Sequence, residues 1–304
     1  MQIETVPNLS EGRNIKLINK IHQKLKQIKN IQIKDIHYDY DHNRSVFTIV
    51  GNLSSVFESI FVITDQVIDN LDINLHQGVH PRAGILDVIP FIPIKGISYK
   101  QLISKVEKFA HKFFERYKIP VYLYSLSSKR LQTQKLSYIR NKGFEFIKKL
   151  TFQDKDLLPD IYQDSIFHPT MGVSFIGVRY PLIAFNFNFK IPPNNSQYKD
   201  HLLQKVKQIA KTIRESSGGI KNVQALAFFL PSQNIVQLST NILEAHKTNF
   251  LKVYHIITQL IQQNNLKLHN TELVGCIPNK IVEKIIKQQL KLSRFHINNV
   301  IQID

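Results

Sequence analysis

The sequence predicts an α+β protein made of two βαββαβ units in tandem. Three observations carry that expectation. Apolar residues switch between a period of two and a period of three to four in the order strand, helix, strand, strand, helix, strand. The same order begins again after residue 181, and the stretch between the two runs, 126–181, sustains neither period.

Residues 2–7 (QIETVP) predict a short strand, and after Ser10 the residues Ile18, Ile21, Leu25 and Ile28 mark one helical face. IQIKDIHYD (31–39) and SVFTIVG (45–51) predict two strands joined by a turn at Asp41, His42 and Asn43. A helix with Val56, Ile60, Ile63, Val67 and Leu71 inward and the strand ILDVIPFIPI (85–94) complete the first unit. Ser98 and Gln101 stand at capping-box spacing before a helix faced by Leu102, Val106, Phe109 and Phe113, which ends before the strand PVYLYS at Pro120. The second unit runs through LIAFNFNF (182–189) and a helix with Leu202, Val206, Ile209 and Ile213 that stops at Gly218-Gly219. The strands ALAFFL (225–230) and IVQLSTNIL (235–243) flank the turn Pro231–Asn234. A helix with Phe250, Val253, Ile257 and Leu260, a strand through ELVGCIP and a final helix with Ile281, Ile285 and Leu290 inward close the pattern. Two such units are the ferredoxin-like arrangement, and a ligand cleft between them is the expectation. The domain boundary falls at 1–178 and 179–304.

With 304 residues, 43% hydrophobic and 21% charged, the chain can bury sizeable cores. No apolar run approaches the ~20 residues a bilayer demands, and the N-terminus lacks the pattern of a secretory signal. A cytoplasmic protein without membrane contact is the expectation. The single cysteine, Cys276 in the apolar setting LVGCIP, reads as a buried inert thiol. The net charge of +17 favours anionic ligands, but the lysines are spread through nearly every segment rather than gathered in a stripe.

The stretch HQGVHPRAGILDVIPFIP (76–93) holds the densest chemistry. His76 and His80 would share a face only on a helix, which Gly78 and Pro81 oppose, and no third ligand stands nearby. A metal site is not expected, and a polar loop competes with a catalytic histidine. The stretch resembles the HKGEHPR segment of the glutamate formimidoyltransferase (formiminotransferase) family. VPNLSEGRN (6–14), NRSVFTIVG (43–51), LDVIPFIP (86–93), PVYLY (120–124), LIAFNFN (182–188), QLSTN (237–241) and ELVGCIP (272–278) resemble that family's other blocks in the same order.

The resemblance implies the two-subdomain fold, a homodimer, and transfer of a formimidoyl group from N-formimidoylglutamate to tetrahydrofolate as co-substrate. Because the chain stops after the second unit, it implies the form without a cyclodeaminase domain. His80 falls where the family places its catalytic histidine, and a side chain titrating near neutrality suits a reaction in which one nitrogen loses a proton and another gains one. Arg82 and Arg44 have the fork that grips carboxylates, and structural ion pairs are the equal alternative for each. Asp39 and Asp87 are candidates to orient His80 or to stabilise the substrate's amidinium, with a cap or a solvated acid as the alternative; Asn8 and Ser10 either line the site or cap the first helix. The resemblance places a folate loop at 163–172 (QDSIFHPTMG), with Ser165, Phe167, Pro169, Thr170 and Gly172 as its binding residues.

Gln77 and Val79 replace the family's usual Lys and Glu, and Ala227-Phe228-Phe229 stands where Gly-Trp-Tyr is common. Formyl transfer from 5-formyltetrahydrofolate and a folate-binding pseudoenzyme are the neighbouring readings. An RNA-binding module is the distant one, since Lys142–Ile147 (KGFEFI) echoes an RNA-binding strand motif; no nucleic-acid partner is expected.

Overall fold

A computed structural model describes residues 1–192 and 196–300. The chain divides into two compact units, Met1–Arg179 and Tyr180–Asp304.

The first unit is one sheet of seven strands among the described residues. β1 (Gln2–Thr5) and β2 (Asn8–Leu9) are two pieces of the predicted first strand, interrupted at Val6-Pro7 because Pro7 has no N–H for the ladder. Together they lie between β4 (Arg44–Asn52) and β5 (Leu86–Lys95), antiparallel to both, and β3 (Ile31–Asp39) is the antiparallel neighbour of β4. Beyond β5 the sheet continues in parallel through β7 (Ser174–Val178) to β6 (Val121–Leu123). Counting β1 and β2 as one, the first four strands lie side by side in the order fourth, first, third, second.

The helices follow from local signals. Asn14 accepts a hydrogen bond from the Leu17 N–H at the start of α1 (Ile15–Leu25), and Asn52 accepts one from Ser55 at the start of α2 (Leu53–Val67). Neither Asn8 nor Ser10 caps α1. The capping box expected of Ser98 and Gln101 opens α3 (Tyr99–Tyr117). The three helices bury Ile18, Ile21, Ile60, Ile63, Leu102, Val106 and Phe113 against one face of the sheet.

The stretch expected to be an irregular connection covers the opposite face. It forms three one-turn helices, α4 (Leu131–Gln134), α5 (Ser137–Arg140) and α6 (Phe144–Ile147), and supplies β7. Ile139, Ile147, Leu158 and Ile166 pack there with Val88, Tyr122 and Phe175. All five residues of β7 are buried, so its sequence, SFIGV, shows no alternation from which a strand is read. The KGFEFI echo lies mostly on α6, where Phe144 is buried and unavailable for stacking on a base.

The second unit repeats the strand order. β8 (Ile183–Lys190), β9 (Val223–Leu230), β10 (Ile235–Ile242) and β11 (Asn270–Val274) form an antiparallel sheet ordered fourth, first, third, second. α7 (Ser196–Ile213) and α8 (Phe250–Gln263) bury Leu202, Val206, Ile209, Val253 and Ile257 against Phe187, Phe189, Val236 and Leu238. On α9 (Asn279–Leu290), Ile281 and Ile285 are partly buried in this core, whereas Leu290, expected inward, is 66% exposed at the helix end. Cys276, expected to be buried, is exposed in the connection between β11 and α9. No helix among the described residues is long and apolar enough to cross a membrane.

Candidate active site

The site grows from the ends of β2, β4 and β5 in the first unit. Asp87, on β5, is fully buried, and its carboxylate is divided among three donors. Oδ2 accepts from Arg44 Nη2 at 2.9 Å and from Arg140 Nε at 2.7 Å, while Oδ1 accepts from the Ala83 N–H at 3.1 Å. Burial raises the pKa of Asp87, but the Arg140 and Arg44 guanidiniums outweigh it and hold the carboxyl below its usual value. Arg44 is itself pushed down to about 10, by burial first and then by Arg140, and stays charged at neutral pH.

His80 stands on this platform. Its Nδ1 lies 3.2 Å from Arg44 Nη1, 3.3 Å from Arg140 Nη2 and 3.1 Å from the Pro81 carbonyl oxygen. A guanidinium N–H only donates and a carbonyl only accepts, so each neutral tautomer of the ring finds a partner at Nδ1. The imidazolium would set a second positive charge against two guanidiniums. Burial, then Arg44 and Arg140, accordingly pushes the His80 pKa well below 6.5, and the ring is neutral at pH 7. His42 stands edge-on to it at 5.6 Å between ring centroids.

The other expected residues are distributed as follows. Asn8 Oδ1 accepts from Arg44 Nε at 3.1 Å and so orients that arginine. Ser10 donates to the Gly84 carbonyl at 2.8 Å, tying the N-terminal strand to the segment after His80. Asp39 accepts from the His42 N–H at 2.7 Å and shapes the turn before Arg44. Arg82 is committed elsewhere: it donates to His76 Nδ1 at 3.0 Å and grips both carboxylate oxygens of Glu145 at 2.8 and 2.9 Å. The other ring nitrogen of His76, Nε2, lies 2.9 Å from the Asn43 carbonyl oxygen. Asp87 reaches His80 through the two arginines.

The loop 163–172 is stitched to the same segment. Ile85 N–H donates to the Met171 carbonyl at 2.9 Å and Val173 N–H to Ala83 at 3.2 Å, while His168 and Gly172 exchange both backbone hydrogen bonds. Gly172 has φ +71°, and a Cβ there would lie 2.4 Å from the Ala83 oxygen, so only glycine allows the contact. Phe167 is half-buried, edge-on to Phe144 at 5.7 Å. Ser165 donates to the Phe167 carbonyl at 2.6 Å, the Pro169 carbonyl accepts from Asn74 and that of Thr170 from Ile73. Gly172 and its neighbours are thereby held beside residues 83–85, while Pro169 and Thr170 are tied to residues 73–74.

Sequence reasoning missed Arg140, Asn43 and Glu145. Asn43 accepts from the Gly12 N–H at 3.0 Å and donates to the Gln77 carbonyl at 3.0 Å, joining two loops around His80. Arg140 carried no signal, being one arginine on a four-residue helix. Glu145 sits three residues into a glycine-led turn that pointed only to the discarded RNA motif.

Comparison with known proteins gives this arrangement its place. Residues 2–179 match the model of the formiminotransferase domain, N-terminal subdomain, and residues 184–300 match that of the formiminotransferase domain. The chain belongs to the formiminotransferase family. It is similar, at 32% identity over 96% of its length and 94% of the relative's, to the glutamate formimidoyltransferase of Streptococcus pyogenes serotype M1. A glutamate formimidoyltransferase of Thermoplasma acidophilum is also 32% identical, over 99% of this chain and 96% of its own. The rat formimidoyltransferase-cyclodeaminase is 32% identical over 91% of this chain, which spans half of that longer relative.

Proposed function

We propose that the protein transfers the formimidoyl group of N-formimidoyl-L-glutamate to N5 of tetrahydrofolate, with His80 as its acid–base residue. The observation that carries this is the neutral imidazole held beside Arg44, Arg140 and the Pro81 carbonyl, in a chain similar to proteins named glutamate formimidoyltransferase. N5 attacks the formimidoyl carbon and gives up its proton to Nε2 of His80, in the tautomer whose Nδ1–H donates to the Pro81 carbonyl. The resulting imidazolium, disfavoured by both arginines, returns that proton to the glutamate nitrogen as its bond to carbon breaks. The proton count balances, and the products are 5-formimidoyltetrahydrofolate and glutamate.

The loop with Ser165, Phe167, Pro169, Thr170 and Gly172 is the proposed folate site, supported by its attachment three to five residues beyond His80. Arg44 is proposed to face the substrate from the same platform, while the bonds of Arg82, Asn8 and Asp39 favour supporting roles. The shared strand order supports a ferredoxin-like unit in each half, with the division at 1–178 and 179–304 as the proposed subdomain boundary. A cytoplasmic homodimer completes the proposal; light scattering on a sizing column tests the dimer.

The catalytic proposal is tested by mixing purified protein with tetrahydrofolate and N-formimidoylglutamate and following 5-formimidoyltetrahydrofolate by absorbance. Wild type turns over and His80→Ala loses ~10²- to 10⁴-fold in kcat. No wild-type turnover, or an unaffected variant, refutes it. Turnover with 5-formyltetrahydrofolate and glutamate alone would assign the formyl reaction instead.

A further inference from the structure

Two guanidiniums share the one carboxylate beneath His80, and stability alone does not require both. Arg44 Nη2 and the Ala83 N–H already satisfy the two oxygens of Asp87, in a one-to-one ion pair. Adding Arg140 leaves a net positive charge in a place where all three side chains are buried, which is unfavourable unless the second cation does something else.

Its remaining contacts show what that is. Arg140 Nη2 donates to the Pro81 carbonyl at 2.8 Å, against 3.4 Å for the competing bond from Arg44 Nη1, and lies 3.3 Å from His80 Nδ1. The segment from His80 to Ala83 belongs to no helix or strand, so side chains and loop contacts must hold it. Three come from one bracket: Arg140 on α5 grips Pro81, the Phe144 N–H of α6 donates to the Arg82 carbonyl at 3.0 Å, and Glu145 grips the Arg82 side chain. Ile139 and Phe144, each 1% exposed, root that bracket in the core.

We propose that Arg140 is a positioning residue for His80: anchored on Asp87, its guanidinium holds the Pro81 carbonyl where that oxygen accepts the Nδ1 proton of the imidazole, leaving proton transfer to Nε2. The inference rests on the catalytic role proposed for His80. A lysine in its place would keep the charge but lose the planar fork that reaches Asp87 through Nε and Pro81 through Nη2 at once. The charged and titratable groups acting on His80 are Arg44 from β4, Arg140 from α5, Asp87 from β5 through both arginines, and His42 from the turn before β4. Removing Arg140 takes away one of the charges that disfavour the imidazolium, so the ring becomes more basic.

Arg140→Gln and Arg140→Lys test this beside wild type and His80→Ala. Asp87 keeps Arg44 in both variants, so the fold retains a paired carboxylate, and circular dichroism confirms it. Arg140→Gln is expected to lose about 10²-fold in kcat, the scale of a misplaced catalytic group, with KM within a few-fold. The acid limb of its kcat/KM profile moves to higher pH. Arg140→Lys returns the limb towards wild type while kcat stays low. Nitrogen-15 NMR titration of the histidine rings, with the His80 signal identified by its loss in His80→Ala, gives the tautomer and midpoint without turnover. A midpoint and kcat that Arg140→Gln leaves within two-fold of wild type overturn the inference, even if the melting temperature falls. If wild type shows no turnover, the catalytic reading fails, and the NMR midpoint alone still decides whether Arg140 controls the ring.

Discussion

Replacing Asp87 with Asn isolates the electrostatics of the platform. The change preserves shape but removes the one negative charge between two guanidiniums, each in a residue only 8% exposed, and it substitutes an NH2 for one acceptor oxygen. An amide oxygen cannot serve both sides of the carboxylate. Either the Ala83 N–H at 3.1 Å or the arginine donors at 2.7 and 2.9 Å lose their acceptor. Breaking a buried pair by removing one partner costs about 3–5 kcal/mol, a large part of the roughly 5–15 kcal/mol that holds a domain folded. The chain has no Trp, so urea unfolding is followed by far-UV circular dichroism. With a slope of about 1–3 kcal/mol/M, the midpoint of the first unit falls by 1 M or more. The sign with pH follows from the depressed pKa of Asp87. Its stabilisation is complete above the unfolded carboxyl value of about 3.9 and is lost as pH falls through the lower native value. The gap between wild type and Asp87→Asn is therefore widest near pH 7 and closes in acid. A loss under about 1 kcal/mol at pH 7, or a gap that widens in acid, would refute the reasoning.

Three further outcomes are expected. His80 is held neutral in the native state, so the unfolded chain takes up a proton near pH 6.5 that the native ring refuses, and wild type loses stability below that pH. His80→Gln removes this share, and denaturation from pH 7.5 to 5 should show the wild-type advantage shrinking. Gly12→Ala would place a Cβ 2.2 Å from the Asp39 oxygen and 2.5 Å from the Arg44 nitrogen, all backbone. A cost of about 1–3 kcal/mol in urea unfolding, with a lowered kcat from a shifted Arg44, follows. Glu145 is held down to about 2 by Arg82, yet its side chain is 65% exposed. Glu145→Ala should thus change stability by less than about 1 kcal/mol, while melting curves in high salt bring the two proteins together.

Most of the fold is legible locally. Helical faces such as Ile18-Ile21-Leu25 and Val253-Ile257, and the capping box at Ser98 and Gln101, follow from periods and hydrogen-bonding chemistry within a few residues. Reading failed where burial is two-sided or long-range. β7 is covered on both faces and shows no alternation, and the helices α4 to α6 are too short for a period to develop. The site divides in the same way. His80 stood out through its neighbours Pro81 and Arg82 and their family resemblance, and the glycine at 172 through the resemblance of the loop 163–172.

The amino-acid sequence alone determined the repeated strand and helix order, the family, and the histidine on which the chemistry is staked, because each is written in contiguous residues. Tertiary structure decided what surrounds that histidine. Arg44, Asp87 and Arg140 are separated by 43 and 53 residues and meet only because β4 and β5 flank the same central strand while a one-turn helix folds back over the sheet. The same packing pairs Arg82 with His76 and Glu145. A guanidinium's role depends on which carboxylate the fold brings within 3 Å of it, and local sequence does not encode that distance.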